Sequence, residues 1–224
     1  MNSAVFGDDG DMQIGFNSSD RSTLGVEVEL QIVDRETWGL SSGASKILAA
    51  VGGHPKIKHE LMESNLELVT GVCETVAEAR ADLETTLGDL APVAAGLGLE
   101  LCCAGTHPFS DWADQCVTSD ERYERLVEEM AWPARRLNIF GIHCHVGVRS
   151  AEKAISIANA ASAYIPHFLA LSASSPYWMG KDTGLASIRS KVFEALPTAG
   201  LPHQMADWSE FEAFMTTLIR AGSI

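Results

Sequence analysis

Thr23–Asp34 reads TLGVEVELQIVD, and its alternation decides the fold. Leu24, Val26, Val28, Leu30 and Ile32 fall on one face, while Thr23, Gly25, Glu27, Glu29 and Gln31 fall on the other. A period of two without a lapse is the mark of a strand buried on one side. Same-face neighbours on a strand stand about 7 Å apart, so Glu27 and Glu29 leave the sheet close together. Carboxylates that close repel unless a cation lies between them or one keeps its proton.

Two further stretches repeat the pattern. Ile139–Arg149, IFGIHCHVGVR, sets Phe140, Ile142, Cys144, Val146 and Val148 against a face holding His143 and His145 between Gly141 and Gly147. Glu60–Thr70, ELMESNLELVT, sets Met62, Leu66 and Leu68 against Glu63, Asn65 and Glu67. Read as a short helix instead, it still puts Glu63 and Glu67 on one face, because a spacing of four suits both periods. The simplest assembly is one sheet with helices on its apolar side and a polar, metal-friendly face opposite.

At 224 residues and 46% hydrophobic, the chain can bury a core as one domain, perceived as residues 21–224 behind a flexible leader, residues 1–20. A net charge of −14 argues against nucleic acid and against an anionic membrane surface. The opening MNSAVFGDDGDMQIG has no basic region followed by an apolar core, and no apolar run approaches the ~20 residues of a membrane span. Cys73, Cys102, Cys103, Cys116 and Cys144 are odd in number, show no CxxC spacing and mostly sit in apolar runs. Buried, reduced thiols in a cytoplasmic protein are expected.

Helices are expected over Ser42–Val51, closed by Gly52-Gly53, and behind the capping box Thr75-Val-Ala-Glu78, with Pro92 near the second one's end. Leu99–Ala104 reads as a strand, and Thr118-Ser-Asp-Glu121 opens another helix. Ser150 caps a long helix whose Ala154, Ile155, Ala158, Ala161, Ile165, Phe168 and Leu169 face the sheet, and Asp207 caps the last one. Residues 172–206 form a long irregular stretch, apolar enough to be ordered.

There is no P-loop and no G-x-G-x-x-G, so a nucleotide needs another holder. Carboxylates favour Mg²⁺ or Mn²⁺ over zinc, and an arginine such as Arg189, in the loop SIRS, suits an anion. A second class of reading is a metal-dependent hydrolase or amidase, in which the same face activates water. A third is a non-catalytic remnant that binds nucleotide or dimerises through its sheet.

GVEVEL, ESNLELVTG, AGTHPF, ERY, FGIHCHVGV, LSASSP, GLASIRS and ALPTAGLP, in this order from about Thr23 to Gly222, resemble the carboxylate–amine ligase family related to type 2 glutamate–cysteine ligases. The resemblance implies an α+β fold similar to the glutamine-synthetase catalytic domain, with a curved antiparallel sheet and helices on one face. It implies ADP-forming ligation of a carboxylate to an amine, glutamate and cysteine being the reference pair, with ATP and Mg²⁺ or Mn²⁺. It implies Glu27, Glu29, Glu63 and Glu67 as metal ligands, His143 and His145 beside the nucleotide, and Arg189 on substrate or phosphate. His107 lies in a matching motif without an assigned role. The family's late strand with further acidic ligands is not in this sequence, so an incomplete catalytic domain, with an uncovered edge favouring a homodimer, is expected.

Overall fold

The computed structural model describes residues 4–6, 12–196 and 199–222. In chain order its elements are β1 (Ala4–Phe6), β2 (Met12–Ile14), β3 (Leu24–Asp34), α1 (Ala44–Val51), β4 (Ile57–His59), β5 (Asn65–Val69), α2 (Val76–Gly96) and β6 (Leu99–Cys102). There follow α3 (Glu121–Met130), α4 (Trp132–Arg135), β7 (Ile142–Val146), α5 (Ala151–Ser162), α6 (Ile165–Ser172), β8 (Tyr177–Trp178), β9 (Lys181–Asp182), α7 (Arg189–Phe193) and α8 (Trp208–Arg220). They fall into two compact units, one of Leu24–His145 and Ser172–Ala199, the other of Met1–Thr23, Val146–Leu171 and Gly200–Ile224.

The larger unit is built on β3. Its sheet runs β4-β5-β3-β6, each neighbouring pair antiparallel, and β7 also pairs with β3. β5 takes one edge of β3 at Glu27–Gln31. On the other edge β6 takes Gln31–Asp34, and β7 approaches where Glu29 N–H donates to Gly141 C=O at 3.0 Å. A strand this long holds three partners because its two ends are shared out.

The apolar face of β3 and β5 (Leu30, Ile32, Leu66, Leu68) packs on Ala44 and Ile47 of α1 and on Leu90 and Ala94 of α2. Burying each large side chain contributes about 1.5–3 kcal/mol before entropy is counted. A second cluster joins Leu61 and Met62 to Tyr123 of α3, with Leu126, Val127 and Leu137 against it. The α+β fold with an antiparallel sheet and helices on its apolar face is therefore the one the sequence implied. The alternation of β3 is buried on both sides at its far end, where Gln31 and Val33 are as enclosed as Ile32.

Several expectations need correction. Glu60–Thr70 is a strand only from Asn65, because residues 61–64 turn to bond distant backbone: Glu63 N–H donates to Cys116 C=O at 2.9 Å, and Ser64 C=O accepts Ile32 N–H at 2.9 Å. Glu63 and Glu67 therefore do not share a face. Asp120, not Thr118, caps α3, and the Thr118 hydroxyl donates instead to Glu60 C=O at 2.6 Å. The apolar face of β7 is open, with Ile142 65% and Val146 57% exposed. Cys73 is buried, while Cys103, Cys116 and Cys144 are exposed. All five thiols are free. Residues 172–196 are ordered as expected, held by the β8–β9 pair and by Thr106, whose hydroxyl donates to Tyr177 C=O at 2.9 Å.

In the smaller unit β1 and β2 pair antiparallel, within the stretch read as a leader. Asp207 caps α8 through Glu210 N–H at 3.0 Å, and Phe16 meets Trp208 edge to face. The helix expected after Ser150 breaks into α5 and α6, bent by 70°. Pro166 accounts for the break, since it has no N–H to donate to the Ser162 carbonyl and its ring would crowd that carbonyl in a continuous helix. Of the apolar residues expected on its inner face, Ile155 is buried and Phe168 is 57% exposed. Among the described residues no single helix is long and apolar enough to cross a membrane.

Candidate functional site

One row of residues crosses the polar face of the larger unit's sheet. Lys58 on β4 lies opposite Glu67 on β5, and Glu67 lies opposite Glu29 on β3. Glu29 spends its backbone N–H on the Gly141 side, so Glu29 and Glu67 form the non-hydrogen-bonded kind of pair, whose side chains stand closest. Like charges so placed repel. Lys58 Nζ, 3.5 Å from Glu67 Oε1, offsets part of this.

The carboxyls register the strain. Burial pushes Glu67 up, and the charges of Glu27 and Glu60 push it further. Burial also raises Glu29, against the opposing pull of the Gly141 N–H, which donates to Glu29 Oε2 at 2.7 Å. Glu27 goes the other way. His143 Nδ1 donates to Glu27 Oε2 at 3.1 Å, and His145 Nε2 stands 3.2 Å from the same oxygen. Burial opposes ionisation there, but these imidazole bonds and charges hold the Glu27 carboxyl below its ordinary range.

A cleft of about 380 Å³ borders this face. Glu29, Glu60, Asn65, Asn138, His143 and Arg189 line its polar part, and Leu61, Met62, Tyr123 and Phe193 its apolar part. Arg189 opens α7, and its N–H donates to the buried Ser175 Oγ at 3.2 Å. Burial pushes the Tyr123 hydroxyl up to about 12, so it stays protonated and donates to His59 C=O at 3.2 Å.

Glu27, Glu29, Glu67, His143, His145 and Arg189 thus belong to one neighbourhood, and Glu63 stands apart. Its carboxylate accepts the Ser45 N–H at 3.0 Å and the Ser45 hydroxyl at 2.6 Å, at the start of α1. Its carbonyl accepts Gly43 and Ala44 N–H, both at 2.9 Å. Gly43 has no side chain to cap that helix, and Glu63 does so from outside. Sequence reasoning missed Glu60, which lines the cleft and whose charge helps push the Glu67 carboxyl up. Its parity is wrong for the strand, and the turn at 61–64 brings it in. His107 has a structural role: Nδ1 accepts Ser110 N–H at 3.0 Å, so Nε2–H donates to Trp38 C=O at 2.9 Å. It steadies Trp38, a non-glycine residue at φ 59°.

Among the described residues no three His, Cys, Asp or Glu side chains close a metal centre by themselves. The donor set still fits a hard divalent cation. Glu27, Glu29 and Glu67 offer oxygens on adjoining strands, and the raised Glu29 and Glu67 carboxyls are what an added positive charge would relieve. Mg²⁺ is commonly held by one or two carboxylates plus phosphates and water rather than by an all-protein cage.

Comparison with known proteins supplies the family. The model of glutamate-cysteine ligase family 2 matches residues 23–224. A candidate glutamate–cysteine ligase 2-1 of Frankia casuarinae is 58% identical over 95% of this chain and 57% of its own length. A candidate glutamate–cysteine ligase 2 of Thermobifida fusca is 54% identical over 95% of this chain and 55% of its own length. The chain thus spans about half the length of the curated relatives it matches. Two solved structures share its fold. A bifunctional glutathione synthetase from Pasteurella multocida has TM-score 0.65 at 17% identity, over 89% of this chain and 30% of that one. A glutamate–cysteine ligase from Francisella tularensis in complex with AMP has TM-score 0.61 at 13% identity, over 91% and 48%. With its family model matching residues 23–224 and relatives 54% and 58% identical over 95% of the chain, this chain belongs to glutamate-cysteine ligase family 2.

Proposed function

We propose that this chain carries the metal- and nucleotide-binding face of an ATP-dependent, ADP-forming carboxylate–amine ligase, of the kind that joins glutamate to cysteine. The observation that carries the reading is the meeting of Glu27, Glu29 and Glu67 on adjoining strands, with two imidazoles on one oxygen of Glu27. The family and the names of the relatives favour joining over hydrolysis.

A carboxylate is a poor acyl donor. Phosphoryl transfer from ATP makes it an acyl phosphate, and the amine then displaces phosphate, so no protein nucleophile is required. Glu27, Glu29 and Glu67 would hold Mg²⁺ or Mn²⁺, which when bound neutralises charge on the phosphates. His143 and His145 fix the Glu27 carboxylate and keep it ionised. Asn65 and Asn138 are buried, and the Oδ1 of each has no hydrogen-bond partner among the described residues. They offer acceptors near the cleft for a donor group of the substrates. Arg189 would face the transferring phosphoryl or the acid being activated. Glu63 is left out of this set, since its oxygens serve α1.

The test supplies Mg²⁺, ATP, glutamate and cysteine and follows ADP and dipeptide together. Dipeptide formed in step with ADP is the expected result when the remaining part of the relatives' length is supplied with this chain. Ester or amide hydrolysis without ATP consumption would replace the reading with a hydrolase.

A further inference from the structure

The run Gly141-Ile-His-Cys-His-Val-Gly147 sets two histidines between two glycines along one face, and the proposed chemistry leaves Gly141 unexplained. Its backbone φ is not in the left-handed region, so conformational freedom is not what requires glycine there. Space is. A Cβ on Gly141 would lie 2.3 Å from Arg189 Nη2, 3.2 Å from Cζ and 3.7 Å from Nε. The guanidinium therefore lies directly against the Gly141 backbone. Gly105, whose carbonyl accepts Phe140 N–H at 3.0 Å, serves the stem of the same side chain. A Cβ there would lie 3.2 Å from Arg189 Cδ and 3.1 Å from Ser175 Cβ and Oγ. Ser175 also accepts Ile188 N–H on its carbonyl at 2.9 Å, fixing the residue before Arg189. The Gly141 N–H in turn holds Glu29 Oε2 at 2.7 Å, so one residue fixes a carboxylate and seats the guanidinium that attracts it. Arg189 Nε is buried with no hydrogen-bond partner among the described residues, a donor left for an anion.

We propose that Gly141, together with Gly105, is a positioning residue for Arg189: the bare backbone lets the guanidinium lie along the strand beside Glu29, with Nε unspent. Its consequence for function rests on the reading that Arg189 meets a phosphoryl or carboxylate anion, but the seat itself can be measured without that reading. The Arg189 Nε–Hε cross-peak, identified by its loss in Arg189→Lys, is expected to exchange slowly with water. Gly141→Ala should shift it and speed its exchange at least about tenfold, leaving amides away from β7 and α7 in place. MgATP titration reads the consequence. Gly141→Ala should weaken binding about tenfold with Arg189 present, and less than about twofold in Arg189→Lys, which has no Nη2 to displace.

An Arg189 cross-peak that keeps its position and exchange rate in Gly141→Ala overturns the proposal. Equal losses of MgATP affinity in both backgrounds overturn it too, because Gly141 then acts through the strand. Should Gly141→Ala unfold, adding Arg189→Ala removes the collision and should restore the melt; a double variant as unstable as the single one again overturns the proposal. A cross-peak that moves while neither Gly141→Ala nor Arg189→Lys alters MgATP binding upholds the seat and refutes the assignment of Arg189 to the nucleotide.

Discussion

His143 bonds one oxygen of Glu27 and His145 stands 3.2 Å from the same oxygen, which together hold the carboxyl below its ordinary range and set what its removal should do. Glu27→Gln preserves volume, removes the charge and leaves both histidines without an anionic partner. If that costs about 4 kcal/mol of transition-state stabilisation, ligation falls about a thousandfold. Unchanged rate and Mg²⁺ dependence would remove Glu27 from the site. His107 makes a prediction of the opposite kind, about stability. Burial lowers its affinity for a proton below the ordinary value, despite the bond to Trp38. Below about pH 6.5 the unfolded chain binds a proton there while the folded chain resists, so stability is whole above that pH and is lost as the pH falls beneath it, until the folded imidazole also protonates. His107→Asn should have a lower melting temperature at pH 7.5 and a shallower fall toward pH 5 than the native chain. Parallel falls would show that the acid sensitivity arises elsewhere.

Glu63 and Glu67 show where elements, rather than residues, decide a role. Glu63 sits at the entrance of α1 and makes the contacts Gly43 cannot. Glu63→Ala should therefore cost about 1–2 kcal/mol, a fall of several degrees in melting temperature, and leave MgATP affinity alone. Glu67→Gln should do the reverse, weakening MgATP binding while its relief of the Glu29 repulsion spares the melt. A Glu63→Ala chain that melts normally but loses Mg²⁺ dependence would return Glu63 to the metal set. The strand β3 was legible in sequence because its alternation is local and unbroken. So were the helix caps Thr75, Ser150 and Asp207, whose side chains bond N–H groups three residues ahead. The turn at 61–64 was not. It is held by Cys116, Thr118 and Ile32, all remote in sequence, and a pattern within eleven residues contains no trace of them. That one turn sends Glu63 to the start of α1 and Glu60 to the cleft. The seat of Arg189 on Gly141 was hidden likewise, since its partners are 48 residues apart.

On the scale of the molecule, the acidic face and the cleft lie wholly within the larger unit, while Ile142, Cys144 and Val146 present an apolar row to solvent. An open apolar strand face invites self-association. Elution should shift toward dimer with rising concentration in the native chain, and Ile142→Lys should remain monomeric; identical elution would assign any dimer to another surface. The central claim, that the β3–β5–β7 face binds a metal–nucleotide pair, is tested most directly by titrating the chain with ATP in Mg²⁺ and again in EDTA, alongside Glu27→Gln and Glu67→Gln. The account predicts saturable binding in Mg²⁺ that collapses in EDTA and weakens at least about tenfold in each variant. Binding of equal strength in all four measurements would contradict it.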